Sequence, residues 1–342
     1  MDLPLIWFCL IGLLWAGYLV LEGFDFGVGA LLPVLGRHDT PGLGEKRRRV
    51  MLATIGPHWD GNEVWLITAG GAMFAAFPHW YATMFSAFYL PFLFLLVALI
   101  LRNMGLEYRS KRDDVQWRKR WDATIIGGSI AAPFLVGVAL TNLVRGLPID
   151  ADFEFTGNLL TLLNPVSLLG GAVIVGLSLT NGAFFLALKT RGPIRDAAQA
   201  LGWRLGAPTA LGAVVLLSWL GFTQGTAWTW MLSVLAAVAL VAALAFNHQG
   251  REGMAFVGVV ITVAATTATY FVALYPAVMP TTLADGTSLT VTNASSSDLT
   301  LQIMTGAALV FTPIMLLYTT WTYWTFRKRL SVANIPDPVS VG

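Results

Sequence analysis

The sequence is poor in the residues that build disulfide frameworks, metal centres and soluble surfaces. Of its 342 residues, one is cysteine, four are histidine and 12% are charged, whereas a soluble domain carries about 25% charged residues. The lone Cys9 cannot form an intrachain disulfide, and no set of thiolates exists for zinc or an iron–sulfur cluster. No Walker loop, Rossmann glycine motif or metal-binding histidine pair occurs in the sequence. The composition therefore excludes an ordinary soluble enzyme built on these chemistries.

The placement of histidine also limits the cofactors expected in this chain. Haem iron takes axial ligands such as His, Met or Cys. Only His58 lies inside a long apolar segment, while His38, His79 and His248 lie in or beside polar connections. The ten methionines are scattered, which is typical of core packing. We therefore expect the chain not to carry several haems itself.

Long apolar runs dominate what is present. Hydrophobic residues make up 56% of the chain, and a helical span needs about 20 largely apolar residues. The sequence predicts an all-α polytopic membrane protein with one integral membrane domain over residues 1–342. Nine spans are predicted, at residues 5–35, 53–77, 80–102, 122–145, 163–188, 204–221, 226–246, 255–276 and 303–326. The first run lacks the basic start of a signal peptide and is expected to remain as a helix.

Basic residues fall almost entirely on one side of this predicted topology. The odd-numbered connections and the C-terminal end hold all of the 21 lysines and arginines except Arg145. Loops rich in lysine and arginine stay in the cytoplasm. The N-terminus is therefore predicted outside and the C-terminus inside.

Four carboxyl side chains fall inside the first two predicted spans, namely Glu22, Asp25, Asp60 and Glu63. Ionisable groups at membrane depth are costly and usually face a bundle interior or a water-filled path. Asp25 and Asp60 are predicted at about 15 and 10 Å from the cytoplasmic side, with Glu22 and Glu63 about one turn deeper. Each pair is spaced i, i+3 and shares a helix face. The pattern predicts a short ladder of acids that takes up protons from the cytoplasm.

Two interpretations of these acids stay open on the residues alone. A buried carboxyl group that is poised between its protonated and ionised forms can relay protons. Alternatively, each acid is neutralised by a buried arginine or by backbone donors. Arg102, at the predicted inner end of the third span, is the expected partner of Asp25 or Asp60.

The second span carries a further group of unusual residues, His58, Trp59, Asn62 and Trp65. Gly56 and Pro57 are expected to disturb its start, because proline lacks a backbone donor and glycine allows close approach. We interpret His58 as a hydrogen-bonded core imidazole and the two tryptophans as packing residues.

Two motifs carry a resemblance to a known family. Residues 23–29 read Gly-Phe-Asp-Phe-Gly-Val-Gly, and residues 57–66 read Pro-His-Trp-Asp-Gly-Asn-Glu-Val-Trp-Leu. Further matching segments are residues 105–111, 121–122, 156–158, 163–165, 275–276, 278–280 and 317–319. With these segments the chain closely resembles subunit II of cytochrome bd-type quinol oxidase over essentially its whole length.

The resemblance implies two four-helix bundles plus one peripheral helix, paired pseudosymmetrically with a subunit I in the bacterial cytoplasmic membrane. Subunit I is expected to carry haems b and d and the loop that oxidises quinol. The complex is expected to reduce oxygen to water with protons from the cytoplasm. The chain itself is expected to be haem-free, with membrane lipid and small accessory subunits as further partners, no nucleic acid, and in some members a structural quinone.

By motif match, the resemblance also implies roles for single residues. Asp60 is expected on a proton path towards the haem site of the partner, and Asp25 is expected to pair with Arg102. Trp65 matches a position near an oxygen-access route in some members. The chain departs from the family at Glu63, where some members have an uncharged amide. The link between the sixth and seventh spans is also shorter than in some relatives.

Three hypotheses from different classes follow. The first is a haem-free oxidase subunit that shapes the proton and oxygen routes. The second is a proton-coupled transporter, which also uses broken helices and midplane acids, usually with inverted repeats; no clear repeat is present. The third is a scaffold whose acids are all paired, so that Asp60→Asn would leave turnover unchanged. The resemblance favours the first.

Overall fold

The computed structural model describes residues 2–334 and is almost entirely helical. Its elements in chain order are α1 (Leu3–Ala30), α2 (Leu32–Leu35), α3 (Pro41–Ile55), α4 (Trp59–Ala76), α5 (Pro78–Ala87), α6 (Tyr89–Tyr108), α7 (Val115–Arg145), α8 (Leu159–Leu162), α9 (Pro165–Lys189), α10 (Pro193–Gln224), α11 (Ala227–His248), α12 (Glu252–Leu274), β1 (Ala277–Met279), β2 (Leu289–Thr290) and α13 (Asp298–Thr325). Single 3-10 turns follow α6 and α13.

Between residues 2 and 334, eight helices are long and apolar enough to cross a membrane: α1, α6, α7, α9, α10, α11, α12 and α13. Each corresponds to one of the predicted spans, which confirms the all-α polytopic fold. The remaining predicted span, residues 53–77, corresponds to the end of α3 and the whole of α4. It was the least apolar of the nine because it contains Asp60, Asn62 and Glu63.

Several predicted boundaries were wrong. Predicted span 5–35 is divided into α1 and α2, and predicted span 80–102 breaks at Phe88 into α5 and α6. α6 continues to Tyr108, while α7 and α10 begin well before their predicted starts. A helix satisfies its own backbone groups inside and outside the hydrocarbon layer. Hydropathy therefore marks only the apolar part of each helix.

The expected disturbance at the start of the second span is a complete break between α3 and α4. The Gly56 backbone N–H donates to the Leu52 carbonyl (2.9 Å) and closes α3. Pro57 has no N–H, and the His58 N–H turns back to the Ile55 carbonyl (2.8 Å). α4 then begins at Trp59. The acidic residues of this motif therefore lie in the first two turns of a new helix.

The long helices form two groups of four and one outlier. α1, α4, α6 and α7 pack together, as do α9, α10, α11 and α12, and the groups meet where α9 contacts α1 and α7. α13 lies outside both groups, with Leu301 as its only buried residue. This arrangement matches the expected two four-helix bundles plus one peripheral helix.

A close crossing of α1 and α9 fixes the acidic part of α1. A Cβ atom on Gly27 would lie 2.7 Å from the Cα of Gly182 and would also clash with the Ser178 carbonyl. A Cβ on Gly182 would lie 2.5 Å from the Cα of Gly27. Only glycine at both positions allows the two backbones to approach this closely. The crossing holds Asp25 within one turn of the contact between the two bundles.

Backbone pairing closes the two ends of the molecule. At one end, the Leu147 N–H donates to the Pro280 carbonyl (3.0 Å), beside the antiparallel pair β1–β2. At the other end, the Leu330 N–H donates to the Lys189 carbonyl (2.8 Å) and the Arg191 N–H donates to the Leu330 carbonyl (2.9 Å). The segment after α13 is thereby fastened to the link between α9 and α10.

Candidate functional site

Three of the four predicted acids converge inside the helix bundle. Glu22 and Asp25 on α1 are completely buried, and the Glu63 side chain on α4 is 18% exposed. Asp60, in the first turn of α4, is exposed on the surface of the chain. The predicted four-acid ladder was therefore wrong at Asp60, which does not share the buried face with Glu63. Positions i and i+3 lie about 60° apart around a helix, and here the edge of the buried face runs between them.

Arg102 of α6 is the central cation of this cluster and is completely buried. Its Nη1 lies 2.6 Å from Glu22 Oε1 and 3.2 Å from Glu63 Oε1. Its Nε donates to Ser129 Oγ (3.2 Å), and its guanidinium lies 4.8 Å from the centre of the Phe26 ring. One guanidinium thus joins α1, α4 and α7 to α6.

The prediction that Arg102 pairs with Asp25 or Asp60 was wrong, because its ion pairs are with Glu22 and Glu63. The cause is the length of α6, which ends six residues after Arg102 rather than at it. Six residues extend a helix by about 9 Å. Arg102 consequently lies about two turns inside the helix and reaches the deeper acid on each neighbouring helix.

Asp25 has an amide as its partner instead of a cation. Its Oδ2 accepts a hydrogen bond from Asn62 Nδ2 at 2.6 Å. Asn62 Oδ1 in turn accepts from the Tyr323 hydroxyl at 2.8 Å. Asp25 Oδ1 is buried and has no hydrogen-bond partner in the part of the chain that the structure describes. A short chain of polar groups therefore runs from α1 through α4 to the peripheral α13.

His58 supports this chain from the side. It is buried, as expected for a core imidazole, and its ring stacks on Tyr323 at 4.2 Å between centroids and 1° between planes. The interpretation of His58 as hydrogen-bonded was wrong, since neither ring nitrogen has a partner within residues 2–334. The stack positions the Tyr323 ring, so His58 contributes to the site by packing.

The tryptophans of the same motif occupy different surroundings. Trp65 lies against Gly17 of α1, where an added Cβ would meet the indole Cδ2 at 3.1 Å and other ring atoms at shorter distance. Trp59, at the first position of α4, is half-buried. The packing interpretation is therefore confirmed for Trp65.

Sequence reasoning missed two features of the site. Asn103, next to Arg102, donates through Nδ2 to Glu63 Oε2 at 2.6 Å. Tyr323 is the other, and its signal in the sequence was weak because tyrosine is common near the ends of membrane helices. Asn62 was noted within the motif, but its partners, the Leu21 carbonyl, Asp25 and Tyr323, lie on other helices and could not be inferred from spacing.

A second buried arginine ties the ends of three helices together away from the acidic cluster. Arg109 donates to both carboxylate oxygens of Glu45 on α3 (2.9 and 2.8 Å) and to Asp122 on α7 (2.5 Å). Such bidentate contacts are among the stronger polar interactions in proteins. Each nitrogen of this guanidinium donates to an acid, so the cluster orients helix ends.

The metal-binding residue types do not gather anywhere in the described residues. Between positions 2 and 334, no group of three or more His, Cys, Asp or Glu side chains is arranged to hold a metal ion.

Comparison with known proteins places these features in a wider context. The family model described as cytochrome bd terminal oxidase subunit II matches residues 3–326. The chain is 39% identical over 331 residues to cytochrome bd ubiquinol oxidase subunit 2 of Bacillus subtilis (strain 168), covering 95% of this chain and 96% of that protein. It is 38% identical over 371 residues to cytochrome bd-I ubiquinol oxidase subunit 2 of Escherichia coli (strain K12), covering 97% and 96%.

A solved structure supports the fold. A chain from the structure of bd oxidase from Geobacillus thermodenitrificans superposes with a TM-score of 0.78, covering 96% of this chain and 100% of that chain. The sequence identity between the two is 18%. The similarity at this identity concerns the helical architecture.

Proposed function

The chain belongs to the cytochrome bd terminal oxidase subunit II family, and from that premise we propose how it serves the enzyme. It is a component of a quinol-oxidising terminal oxidase. In this proposal it is the haem-free subunit, pairs with a haem-bearing subunit I and stabilises it. It also supplies part of the route by which protons from the cytoplasm reach the site of oxygen reduction.

The observation that carries the proton role is the imbalance of buried charge. Three carboxyl groups, those of Glu22, Asp25 and Glu63, lie in one cluster with a single buried cation, Arg102. If all three were ionised, the cluster would hold two uncompensated negative charges in the membrane, which is costly. Holding and passing protons removes that cost. A cluster built only for stability would have matched its charges.

Asp60 is the proposed entry to this cluster. It lies one turn before Glu63 on α4 and remains exposed on the surface of this chain. A carboxylate at that position can take a proton from water and stays within one helical turn of the buried acids. We place Glu63, Glu22 and Asp25 after it, with subunit I as the acceptor.

The surface of α13 supports the pairing with a second subunit. This helix of 28 residues has one buried position, and apolar side chains such as Phe311, Leu317 and Trp321 are more than half exposed. Lipid covers part of such a surface, and a partner helix covers the rest. α13 is held at its inner end by Tyr323, so a partner seated on α13 would lie close to the acidic cluster.

Haems b and d are assigned to subunit I in this proposal. A structural quinone would fit a different feature of this chain, a cavity of about 600 Å³ between α4, α5 and α6. Trp15, Phe74, Tyr81 and Tyr89 are among its lining residues, a mixture of aromatic surface and hydroxyl groups that suits a quinone ring. Extraction of the purified complex with organic solvent, followed by mass spectrometry, would test for a bound quinone.

The experiment that tests the function is copurification from the native membrane. We expect haem b and d bands in the reduced-minus-oxidised spectrum to travel with a second large membrane subunit and to be absent from this chain expressed alone. A haem-free preparation with no such partner would exclude the oxidase assignment.

The proton role is then tested in the copurified complex by quinol-driven oxygen consumption. Asp60→Asn and Asp25→Asn should each slow turnover by at least tenfold while leaving the haem spectrum intact, since each removes a group that gains and loses a proton. Asp152→Asn, at an exposed acid in the link between α7 and α8, is the control and should match wild type. Normal turnover in both test variants would favour a scaffold role.

A further inference from the structure

Asp25 differs from the other buried acids in the kind of partner that it has. Glu22 and Glu63 both face the guanidinium of Arg102. Arginine has donors only, so it can hydrogen-bond to an ionised carboxylate but cannot accept the proton of a carboxylic acid. Asp25 instead faces the side-chain amide of Asn62 at 2.6 Å. An amide has donors at one end and an acceptor at the other.

The second partner of that amide has the same double capacity. Tyr323 donates its hydroxyl hydrogen to Asn62 Oδ1 at 2.8 Å. A phenol hydroxyl can donate or accept. The chain from Asp25 through Asn62 to Tyr323 can therefore run in either direction with two hydrogen bonds. In the reversed direction the Tyr323 hydroxyl hydrogen leaves Asn62 Oδ1, and Asn62 Nδ2 gives up its 3.4 Å contact to the Leu21 carbonyl.

We propose that Asn62 and Tyr323 form a reversible amide–hydroxyl switch that follows the protonation of Asp25. With Asp25 ionised, Asn62 Nδ2 donates to the carboxylate and Tyr323 donates to Asn62 Oδ1, as in the structure. When a proton that entered at Asp60 reaches Asp25 Oδ2, the amide turns over. The new carboxylic O–H donates to Asn62 Oδ1, and Asn62 Nδ2 donates to the Tyr323 oxygen.

The switch itself transfers no proton. The proton that binds to Asp25 leaves the same oxygen when Asp25 passes it on, and the amide and phenol keep their own hydrogens throughout. Breaking a buried hydrogen bond without replacing it is costly. Two hydrogen bonds join Asp25, Asn62 and Tyr323 in each arrangement, so the carboxyl group of Asp25 keeps a partner in both protonation states. The turn costs the Tyr323 O–H its acceptor and Asn62 Nδ2 its 3.4 Å contact to the Leu21 carbonyl. Asn62 and Tyr323 are positioning residues in this scheme.

The surroundings favour a switch at this position. Asn62 is 1% exposed and Asp25 is completely buried, so bulk water is kept from competing for these hydrogen bonds. The Tyr323 ring is held by its stack on His58 and by an edge contact with Phe24 at 6.4 Å. The phenol oxygen is therefore fixed, and the amide is the part that turns.

The titratable groups around Asp25 come from four helices and the turn before α4. They are Glu22 on α1, Glu63 on α4, Arg102 on α6, Tyr323 on α13, and His58 in that turn. Arg102 pairs with Glu22 and Glu63, whereas Asn62 hydrogen-bonds to Asp25 and Tyr323 hydrogen-bonds to Asn62. A change at Asn62 or Tyr323 therefore leaves the ion pairs of Arg102 in place.

The test uses the intact oxidase complex and rests on the proposed proton role of Asp25. Tyr323→Phe removes the hydroxyl and keeps the ring that stacks on His58. Asn62→Leu removes both ends of the amide with little change in volume. Tyr323→Phe, which loses one hydrogen bond of the chain, should lower turnover by about five- to tenfold. Asn62→Leu, which loses both, should lower turnover by at least as much. Tyr108→Phe, at an exposed tyrosine that ends α6, is the control and should match wild type.

A role in folding alone would not change how turnover depends on pH. In Asn62→Leu the ionised form of Asp25 loses the one hydrogen-bond donor that residues 2–334 supply to it, so we expect turnover to recover as the pH is raised. Infrared difference spectra add a direct readout. In the wild-type complex, the carboxyl band that disappears in Asp25→Asn should change together with an asparagine amide band that disappears in Asn62→Leu.

The outcomes separate the switch from the proton path. Suppose that turnover is slow in Asp25→Asn, while Asn62→Leu and Tyr323→Phe both keep the turnover and pH profile of wild type. This result would overturn the switch and leave the proton role of Asp25 standing. Normal turnover in Asp25→Asn would overturn the proton role and the switch with it. Slow turnover in all three, with the shifted pH profile and the paired infrared bands, would support the switch.

Discussion

The Tyr323 hydroxyl and the Asn62 side-chain oxygen lie 2.8 Å apart, although 261 positions separate the two residues in the chain. The contact connects the peripheral α13 to the helix that carries most of the acidic motif. Tyr323 also stacks on His58, which in addition makes an edge contact with Phe326 of the segment that ends α13. The C-terminal end of α13 is thus held by one hydrogen bond and a small aromatic cluster.

The aromatic part of this contact predicts how α13 is attached. Tyr323→Leu removes both the hydroxyl and the stacked ring, while Tyr323→Phe removes only the hydroxyl. Aromatic pairs contribute about 0.5–1.5 kcal/mol beyond the area that they bury. We expect Tyr323→Leu to speed hydrogen exchange at residues 326–330, whereas Tyr323→Phe leaves it near wild type. Equal exchange in the two variants would mean that the hydroxyl, not the ring, holds the helix end.

The buried arginine of the acidic cluster predicts a large stability effect. Arg102→Ala would leave Glu22 and Glu63 without their cation, and removing one partner of a buried ion pair costs about 3–5 kcal/mol. We expect a lower midpoint of thermal unfolding for the purified complex or a failure to assemble. The thermal midpoint of Arg102→Lys should lie between those of wild type and Arg102→Ala, because lysine keeps the positive charge but lacks the planar guanidinium.

Two further variants make the result at Arg102 interpretable. Arg120→Ala, at an exposed arginine of α7, is the control and should unfold like wild type. Glu22→Gln combined with Arg102→Gln should be less destabilising than the sum of the two single changes, since residues in contact are not additive. Strict additivity would contradict the ion pair.

How far the sequence predicts this site can be judged from Arg102 and Asp60. Ionisable residues inside a membrane protein commonly pair with one another, so Arg102 was identified from the sequence. The acids that Arg102 contacts depend on the length and rotation of α6. Hydropathy does not reveal that length, because the last residues of α6 lie beyond its apolar run. The spacing of Asp60 and Glu63 predicts that they share a helix face. The packing of α4 nevertheless leaves Asp60 exposed and Glu63 partly buried.

The membrane helices themselves were predictable because bilayer thickness sets their apolar length. Hydrogen-bond partners were not, because Asn62 meets Asp25 and Tyr323 only after three helices have packed. The same holds for the Gly27–Gly182 contact, where the sequence shows two glycines among many. Residue spacing in the sequence predicts which side chains are neighbours on one helix, whereas these contacts are between different helices.

The crossing of α1 and α9 predicts that one added methyl group is destabilising. Gly27→Ala would place Cβ against the backbone of Gly182 and Ser178, and overpacking a core costs about 1–3 kcal/mol. We expect a lower thermal midpoint and a reduced yield of assembled complex. Gly127→Ala, on α7, is the control, because a Cβ there has no atom within 4 Å. Equal midpoints for the two variants would contradict the close crossing.

The Arg109 cluster predicts that lysine cannot replace arginine at the ends of α3, α6 and α7. Arg109 makes four contacts of 3.3 Å or less to Glu45 and Asp122, and an ammonium group cannot reproduce that fork. We expect Arg109→Lys to lower unfolding stability by about 1–3 kcal/mol. Arg112→Lys, three residues later and exposed, should lower it by less than about 0.5 kcal/mol. Similar losses in both would show that charge alone matters.

The distribution of basic residues predicts which end of the molecule faces the cytoplasm, and the single cysteine makes the test direct. In a Cys9→Ser background, Lys119→Cys lies at the start of α7 beside the basic links, and Ser288→Cys lies next to β2 at the opposite end. Positively charged loops are retained inside, so a membrane-impermeant maleimide added to intact cells should label Ser288→Cys and spare Lys119→Cys. Opening the cells should expose Lys119→Cys as well. The reverse pattern would invert the topology and place Asp60 near the outer face, where it could not take protons from the cytoplasm.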